Sequence, residues 1–337
     1  MRTASRKAPR IALALAGGGP LAASYEIGAL CALDEALDGL DLTGAQHYVG
    51  VSAGGFIAAA LANGMRPREL CAAFIGNRGA DAWPAGPFSG EAIHRRLAEA
   101  FSRPGRSNDF RALRARLSVV ATDLDTGRAV AFGTPGRDAV PISRAVQASC
   151  ALPGLFPPVR IDGRTFVDGA LAKTMHASVA LEQGVDLMLC INPLVPFATR
   201  DLASGGLPAV LGQGLRTVIH SRLALAMKHY ASAYPNTDIV LLEPDPADAE
   251  LRQAGIFGYG QRKRIAGHAY RATLDWLRSE ERSLAPRFAR HGIALRSEVL
   301  HDPHRALVPA APPRRLAHAL ARLHTVLDDL EATLQPA

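Results

Sequence analysis

The sequence predicts an α/β protein built on a mostly parallel β-sheet. The apolar run "RIALALAGGG" ends at three glycines, as a buried parallel strand followed by a loop does. The next segment, "PLAASYEIGALCALDEAL", carries apolar residues at helical spacing. "HYVGVSAGGFIAAALANG" repeats this order of strand, tight turn and helix. A strand followed by a helix, twice in succession, favours an α/β sheet.

Further elements follow in the same manner along the chain. Amphipathic segments with interruptions occupy residues 66–114, and a long helical segment runs from about Leu207 to Tyr230. Helices are also predicted at about 259–280 and 314–333. The remaining predicted elements are a two-strand pair in "LSVVATDLDTGRAVAFG", a helix broken by proline in "ISRAVQASCALPGLFPPV", a hairpin in "VRIDGRTFVDGAL", and strands in "VDLMLCINPL" and "TDIVLLEP".

Composition describes a globular chain. Of the 337 residues, 48% are hydrophobic and 20% are charged, which is typical of a folded protein and not of a disordered one. The net charge of +7 favours attraction to anionic surfaces. No long run of Lys and Arg is interleaved with aromatic residues, so we expect no nucleic-acid partner.

Targeting and metal signals are weak in this sequence. The apolar run Ile11–Ala16 is too short for a signal peptide, and no apolar segment approaches the ~20 residues of a membrane span. We therefore expect a cytoplasmic protein, with peripheral contact at the inner membrane face left open. The cysteines Cys31, Cys71, Cys150 and Cys190 form no pair or cluster with zinc spacing, which predicts reduced thiols and no metal. No cofactor is expected.

A GxSxG motif provides the first candidate for chemistry. It spans Gly50 to Gly54, with Ser52 at its centre, between an apolar strand and an Ala-rich helix. This context is the one that a nucleophile elbow requires, because glycines at Gly50 and Gly54 leave room for a sharp turn. The alternative is an ordinary Ser/Gly turn that caps a helix.

Two further motifs complete the set. Asp168 follows a predicted strand in "TFVDGAL" and precedes a glycine. A buried carboxylate can take the proton of a serine nucleophile, although Asp-Gly is also a common turn pair. The glycines of "LALAGGGPLA" could cradle a phosphate, hold an oxyanion or turn the chain, since bare backbone lets N–H groups converge on one oxygen.

Taken together, the three motifs resemble those of the patatin-like phospholipase family. "GGGP", "GVSAG" and "DGA" follow one another in the family's order and context. The resemblance extends to "VVATDLDTGRAVAFG" and "ASCALPGLFPPV", and it covers about residues 11–195.

The resemblance implies a fold, a reaction and a substrate. The fold would be a three-layer α/β/α arrangement around a mostly parallel sheet. Ser52 would attack the ester carbonyl, and Asp168 would act as general base without a histidine. The N–H groups of Gly17, Gly18 and Gly19 would form the oxyanion hole. The substrate would be an acyl lipid, with a phospholipid as the expected class.

The sequence departs from the family pattern in two places. Leu21 and Ala22 stand where the family usually carries a basic residue and a glycine, and Pro20 has no N–H to donate. The segment after Asp168, "LAKTMHAS", lacks the family's Asn/Pro-rich run.

Two other readings stay open. An α/β-hydrolase with a Ser-Asp-His triad would also use GxSxG, with a base such as His176, His220 or His229. A non-catalytic protein could use "AGGGP" to contact a phosphate or a nucleotide, although the phosphate-loop and dinucleotide motifs are missing.

The predicted domain organisation has three parts. Residues 1–10 form a flexible N-terminus, residues 11–305 a patatin-like domain, and residues 306–337 a helical C-terminal extension. The Gly/Pro-rich segment 78–90 is either a mobile rim or a packed connector. The oligomeric state is left open.

Overall fold

An eight-stranded sheet forms the centre of the structure. The computed structural model describes residues 8–76, 90–196, 206–253 and 261–307. The strands in chain order are β1 (Ile11–Leu15), β2 (Leu37–Asp38), β3 (His47–Val51), β4 (Arg116–Asp123), β5 (Arg128–Phe132), β6 (Val159–Ile161), β7 (Arg164–Asp168), β8 (Leu187–Ile191), β9 (Asp238–Leu242) and β10 (Ala294–Leu295).

The middle of the sheet is parallel and one side is antiparallel. The strand order is β6-β7-β4-β3-β1-β8-β9, with β5 paired to β4. Strands β4, β3, β1, β8 and β9 run parallel, whereas β7, β6 and β5 add antiparallel pairs. Strands β2 and β10 form a separate antiparallel pair. The predicted mostly parallel α/β sheet is therefore confirmed.

Helices cover both faces of this sheet. Their bounds are α1 (Gly19–Ala36), α2 (Ala53–Ala62), α3 (Pro67–Leu70), α4 (Gly90–Phe101), α5 (Ile142–Ser149), α6 (Ser178–Leu181), α7 (Gly206–Ala233), α8 (Ala249–Gln253), α9 (Arg262–Ser279), α10 (Glu281–Ala289) and α11 (Ser297–Leu300). A π-helical turn spans Cys71–Ile75, and 3₁₀ turns span Phe110–Ala112 and Gly169–Leu171.

Strand β1 shows how the layers arise from the sequence. Successive side chains of a strand point to opposite faces. Leu13 and Leu15 join the large core beneath α1, α2 and α5, whereas Ala12 and Ala14 join a second cluster with residues of α6 and α7. The predicted three-layer α/β/α architecture is confirmed by this division.

Helix α1 is buried along nearly its whole length because α9 covers it. The two helices approach closely at Gly28, where a Cβ atom would lie 2.2 Å from the carbonyl oxygen of Ala266. That distance is far inside van der Waals contact, so only glycine permits this approach. The contact with α9 helps to position α1, and α1 begins at the glycine loop.

The main predicted elements lie where the sequence placed them, and several short ones were missed. The long predicted helix is α7, and the predicted pair of strands is β4 and β5. The β2–β10 pair and the helices α10 and α11 had no clear sequence signal. The predicted helix at 314–333 and segment 78–89 lie outside the described residues, and so do residues 1–7. Among the described residues, no helix is both long enough and apolar enough to cross a lipid bilayer.

The approach of α1 to α9 gives a test of the core. Replacing Gly28 with Ala should lower the free energy of unfolding by about 1–3 kcal/mol, because the added methyl group overpacks the helix contact. Gly267 of α9 is the matched control, since a Cβ there meets nothing closer than the Arg271 side chain at 3.8 Å. Gly267→Ala should be neutral or stabilise by up to ~1 kcal/mol. Urea unfolding of both variants measures the difference, and equal stabilities would refute this packing.

Candidate active site

Ser52 lies in the turn between β3 and α2, at the carboxyl end of the strand. Its φ of +52° and ψ of −120° form a backbone conformation that L-residues other than glycine rarely adopt. Such a strained turn is typical of a nucleophile elbow. The residue is 6% exposed, so nearly all of its surface is covered by the rest of the protein.

The two glycines of the motif let this turn press against the end of β1. A Cβ at Gly54 would lie 2.4 Å from the carbonyl oxygen of Leu15. A Cβ at Gly50 would lie 2.4 Å from the carbonyl oxygen of Gly54. Neither position accepts a side chain, so the glycines bring Ser52 up to the loop that follows β1.

Ser149, the last residue of α5, holds the turn in place. The Ser52 N–H donates to Ser149 Oγ at 2.7 Å, and the Ser149 hydroxyl donates to the Val120 carbonyl oxygen at 2.6 Å. Ser149 is completely buried. Sequence reasoning did not single it out, because a serine in an apolar helix carries no signal until its partners are known.

Asp168 ends β7 and is held by hydrogen bonds at three of its atoms. Its N–H donates to the Ala151 carbonyl oxygen at 3.0 Å, and its own carbonyl oxygen accepts from Thr122 Oγ1 at 3.0 Å. The Ala170 N–H donates to Asp168 Oδ1 at 2.8 Å. The side chain is thereby fixed in a residue that is only 3% exposed.

Burial and hydrogen bonding set the basicity of this carboxyl group. Burial raises the pKa of Asp168 to about 6, while hydrogen bonds from the Ala170 N–H and the Ser52 side chain lower it by less. The same pocket holds the Cys150 thiol, whose pKa is raised by burial and by the Asp168 charge and lowered by the Ser52 side chain. Ser52 and Asp168 therefore share one buried pocket. At neutral pH the carboxyl is mostly ionised and able to accept a proton.

The glycine loop packs directly behind Ser52. A Cβ at Gly17 would lie 3.2 Å from the Ser52 Cβ and 3.4 Å from the Ala170 Cβ. The Gly17 N–H donates to the Thr174 carbonyl oxygen at 3.0 Å, so it is already used within the protein. Of the three predicted oxyanion donors, Gly17 is thus engaged elsewhere.

The other two glycines stand at the start of α1 with positive φ, +151° at Gly18 and +68° at Gly19. Within the described part of the chain, no hydrogen bond uses either N–H group. The N-terminus of an α-helix carries partial positive charge, which favours an anion there. These two N–H groups are available to a ligand.

The position of the missing basic residue is now explained structurally. Leu21 is 3% exposed and Ala22 is completely buried, and both belong to the main core. A charged side chain would have to leave that core to reach a ligand. The loop therefore presents only backbone groups to the site.

Two of the three histidines proposed for a triad, His176 and His220, have other partners. In the described ranges, no hydrogen bond joins a histidine to Ser52 or Asp168. Burial and the Lys173 charge lower the pKa of His176 to about 4, and backbone groups of Gly169 and Lys173 contact its ring. His220 lies 3.7 Å from the Glu243 carboxylate. Residues 8–76, 90–196, 206–253 and 261–307 contain no group of three or more His, Cys, Asp or Glu that could hold a metal ion.

Comparison with known proteins identifies the same segment. The model of the family described as patatin-like phospholipase matches residues 13–181, half of the 337-residue chain. This range contains the glycine loop, Ser52 and Asp168.

Two solved structures are similar to this chain. VipD from Legionella pneumophila matches at 15% identity and a TM-score of 0.44, over 81% of this chain and 67% of VipD. The type III effector protein ExoU matches at 15% identity and a TM-score of 0.37, over 81% of this chain and 53% of ExoU. The chain thus spans about half the length of ExoU. At such low scores, neither likeness says what this chain does.

The hydrogen bonds of Ser149 lead to a testable expectation. Ser149→Ala should destabilise the protein by about 1–3 kcal/mol, because it leaves the buried Ser52 N–H and Val120 carbonyl without partners. The rate of Ser52 labelling by a fluorophosphonate should fall as well. Ser102→Ala is the control, since that exposed hydroxyl bonds only to the Ala98 carbonyl of its own helix. Unchanged labelling and stability in Ser149→Ala would show that the turn does not need this anchor.

Proposed function

This chain belongs to the patatin-like phospholipase family, and from that premise we propose that it hydrolyses acyl esters of lipids with a Ser52–Asp168 dyad. The observation that supports the dyad is the pocket shared by the two side chains, in which Ser52 acts directly on the pKa of Asp168. No histidine within the described residues is bonded to either one, which favours the dyad over a triad.

The first half of the reaction forms an acyl-enzyme. Ser52 Oγ attacks the ester carbonyl carbon while Asp168 takes the hydroxyl proton. The carbonyl oxygen becomes an oxyanion, and the bond to the leaving alcohol then breaks. Asp168 returns its proton to that alcohol, so the carboxylate is regenerated and the acyl group stays on Ser52.

The second half releases the fatty acid. A water molecule attacks the acyl carbon, Asp168 takes one of its protons, and the collapse of the intermediate returns this proton to Ser52 Oγ. In both halves the N–H groups of Gly18 and Gly19 stabilise the oxyanion, aided by the positive end of α1. One such donor contributes about 3 kcal/mol to transition-state stabilisation in comparable sites.

A surface beside Asp168 supports a lipid substrate. Leu171, which ends the 3₁₀ turn after Asp168, is 44% exposed, and Val218 and Leu225 of α7 are 52% and 68% exposed. The Arg222 side chain joins the two elements through a hydrogen bond of 3.4 Å to the Ala172 carbonyl oxygen. We name Leu171, Val218 and Leu225 the apolar rim.

The apolar rim suits a membrane surface better than bulk water. Exposed leucines and valines insert among acyl chains, while neighbouring cations contact lipid phosphates. Lys173 and Arg222 lie beside the rim and supply those cations. We therefore propose a phospholipid as the substrate class, with peripheral contact at the inner face of the cell membrane and an otherwise cytoplasmic location.

We also propose the domain division that the sequence suggests. Residues 11–305 would form the hydrolase domain, preceded by a flexible N-terminus at 1–10 and followed by a helical extension at 306–337. The support from the fold is that α11 and the residues after it still pack on the domain, since Leu300 is buried in the main core and Arg305 pairs with Glu35 at 2.9 Å.

Labelling with a fluorophosphonate tests the dyad. The wild type should be labelled at Ser52, Ser52→Ala should not be labelled, and Asp168→Asn should lose about 10²–10⁴-fold in rate. Because the carboxylate is the base, the wild-type rate should rise with pH through about 6, and this rise should disappear in Asp168→Asn. Mass spectrometry of the labelled peptide and rates between about pH 5 and about pH 8 measure both effects.

Stability separates a catalytic role from a structural one. The raised pKa of Asp168 means that the native state binds its proton more tightly than the unfolded state does, so stability falls as the pH rises from the ordinary value of 3.8 to about 6, and the full cost remains at higher pH. Asp168→Asn should therefore melt no lower than the wild type at about pH 8. Labelling that persists in Ser52→Ala contradicts the proposal. A triad would instead be supported if His176→Ala lost labelling and Asp168→Asn kept it.

The apolar rim can be tested on α7 without touching the loop of Asp168. Val218→Asp/Leu225→Asp should lower hydrolysis of phospholipid vesicles about tenfold or more, because two exposed apolar side chains that would insert among acyl chains become charges. Hydrolysis of a soluble short-chain ester should not change. Thr217→Asp/Ala224→Asp is the charge-matched control, about 100° around the same helix. If both double variants lose vesicle activity equally, the rim is not the membrane contact.

A further inference from the structure

A second cleft lies at the opposite end of the sheet from Ser52. Its volume is about 1120 Å³. Typical small-molecule sites have volumes of about 300–1,000 Å³, so this cleft is large enough for such a ligand. Its lining includes the residues just before or at the amino ends of β1, β3, β4 and β8, among them Arg10, His47, Arg116 and Val185. Ser52 follows the carboxyl end of β3, so the two sites are separated by the length of the parallel strands.

The cleft is lined by four arginines, Arg10, Arg106, Arg114 and Arg116. Asp41 is the acidic residue of the lining, and its Oδ1 accepts hydrogen bonds from the Thr43 N–H and hydroxyl. The four guanidinium groups therefore outnumber the one lining carboxylate. We name this site the arginine cleft.

The pairing of these arginines leaves positive charge uncompensated. Arg10 is bound to Asp186 at 2.9 Å. Arg116 donates to the amide oxygen of Gln183 at 2.7 Å, a neutral partner. Across the described residues, no carboxylate lies within ion-pair distance of Arg114 or Arg116. The two guanidinium groups are close in sequence at the start of β4, and Arg114 is exposed.

His47 adds a polar group to the wall of the arginine cleft. It is 4% exposed, its Nε2 lies 3.0 Å from Ser118 Oγ, and its Nδ1 has no hydrogen-bond partner among the described residues. Burial and, to a lesser extent, the Arg116 charge lower the pKa of His47 to about 4. The ring is neutral at physiological pH, so it does not add to the positive charge.

We propose that the arginine cleft binds a small soluble molecule carrying two or more phosphate groups. Guanidinium groups bind phosphate through paired charge-assisted hydrogen bonds. Arg114 and Arg116 both lack a carboxylate partner among the described residues, so together they can bind more than one phosphate group. The volume exceeds what a single phosphate ion fills. This inference does not rest on the hydrolase activity, because the residues involved are separate from Ser52 and Asp168.

The location of the cleft decides between a soluble ligand and a membrane lipid. A five-residue strand is ~17 Å long, so a bilayer that contacts the amino ends of the strands lies on the far side of the sheet from Ser52. The apolar rim belongs to the other end of the sheet, beside Asp168. A phosphate ligand in the arginine cleft is therefore free in solution. It contacts β3 at His47, the strand that ends immediately before Ser52.

Calorimetric titration with tripolyphosphate and with ATP tests this site. The wild type should bind at physiological ionic strength, and Arg114→Ala/Arg116→Ala should bind about tenfold more weakly or worse, because two charged hydrogen bonds are lost. The charge-matched control is Arg128→Ala/Arg160→Ala, two exposed arginines outside the cleft, which should bind as the wild type does. Arg114→Ala alone should give an intermediate affinity. Within the described ranges the Arg114 side chain makes no hydrogen bond, so its removal costs the fold no such contact there.

Vesicle flotation distinguishes the two sources of phosphate. Phosphatidylcholine vesicles with phosphatidylglycerol should bind the wild type and Arg114→Ala/Arg116→Ala equally. The proposal is overturned if the wild type binds neither tripolyphosphate nor ATP. It is also overturned if both double variants lose affinity equally, or if the cleft variant loses vesicle binding while its affinity for soluble phosphates is unchanged.

Discussion

The whole site depends on a backbone turn at Ser52 that the chain would not adopt unaided. A positive φ at a residue other than glycine costs on the order of 1–3 kcal/mol. The turn is held because Gly54 lies against the carbonyl oxygen of Leu15, and because the Ser52 N–H bonds to Ser149. Each of these contacts comes from a different part of the chain. The strain at Ser52 is therefore maintained by tertiary structure, and the same contacts bring β1, and with it the glycine loop, up to the hydroxyl group.

Burial alone does not make a carboxyl group useful, as two buried residues of this protein show. Glu26 on α1 is completely buried, and neither carboxyl oxygen has a hydrogen-bond partner among the described residues. Its pKa is raised well above the ordinary value by burial, only partly opposed by the Ala16 N–H, which already donates to Ile191. Burial therefore favours the uncharged form of Glu26. Asp168 is also buried, but Ala170 and Ser52 stabilise its ionised form and keep its pKa near 6. The difference between an inert acid and a candidate base is thus made by two hydrogen bonds.

Features that depend on a local sequence pattern could be predicted from the sequence. Features that depend on hydrogen bonds between residues far apart in the chain could not. The strands β1 and β8 were predicted because each is a run of five apolar residues soon followed by a glycine or a polar residue. This local pattern is enough to predict a buried strand. The anchoring by Ser149 could not be predicted, since it lies 97 positions from Ser52 in the chain. The same holds for Gly17, whose N–H is taken by Thr174. The motif suggested Gly18 and Gly19 as the main donors beside Gly17, and the tertiary structure engages the Gly17 N–H within the protein.

The apolar residue in the place of the loop's usual basic residue bears on where the proposed lipid substrate would be recognised. Leu21 is part of the core, so the glycine loop offers an oxyanion its N–H groups but offers a headgroup no charge. Charges at this end of the sheet are found instead on the loop after Asp168 and on α7, at Lys173 and Arg222. In the function proposed above, recognition of the lipid is separated from the chemistry: the backbone at the start of α1 would stabilise the reacting atoms, and side chains on neighbouring elements would contact the lipid surface. Because the two proposed roles use different elements, Leu21 can belong to the hydrophobic core while the N–H groups of Gly18 and Gly19 stay available to an oxyanion.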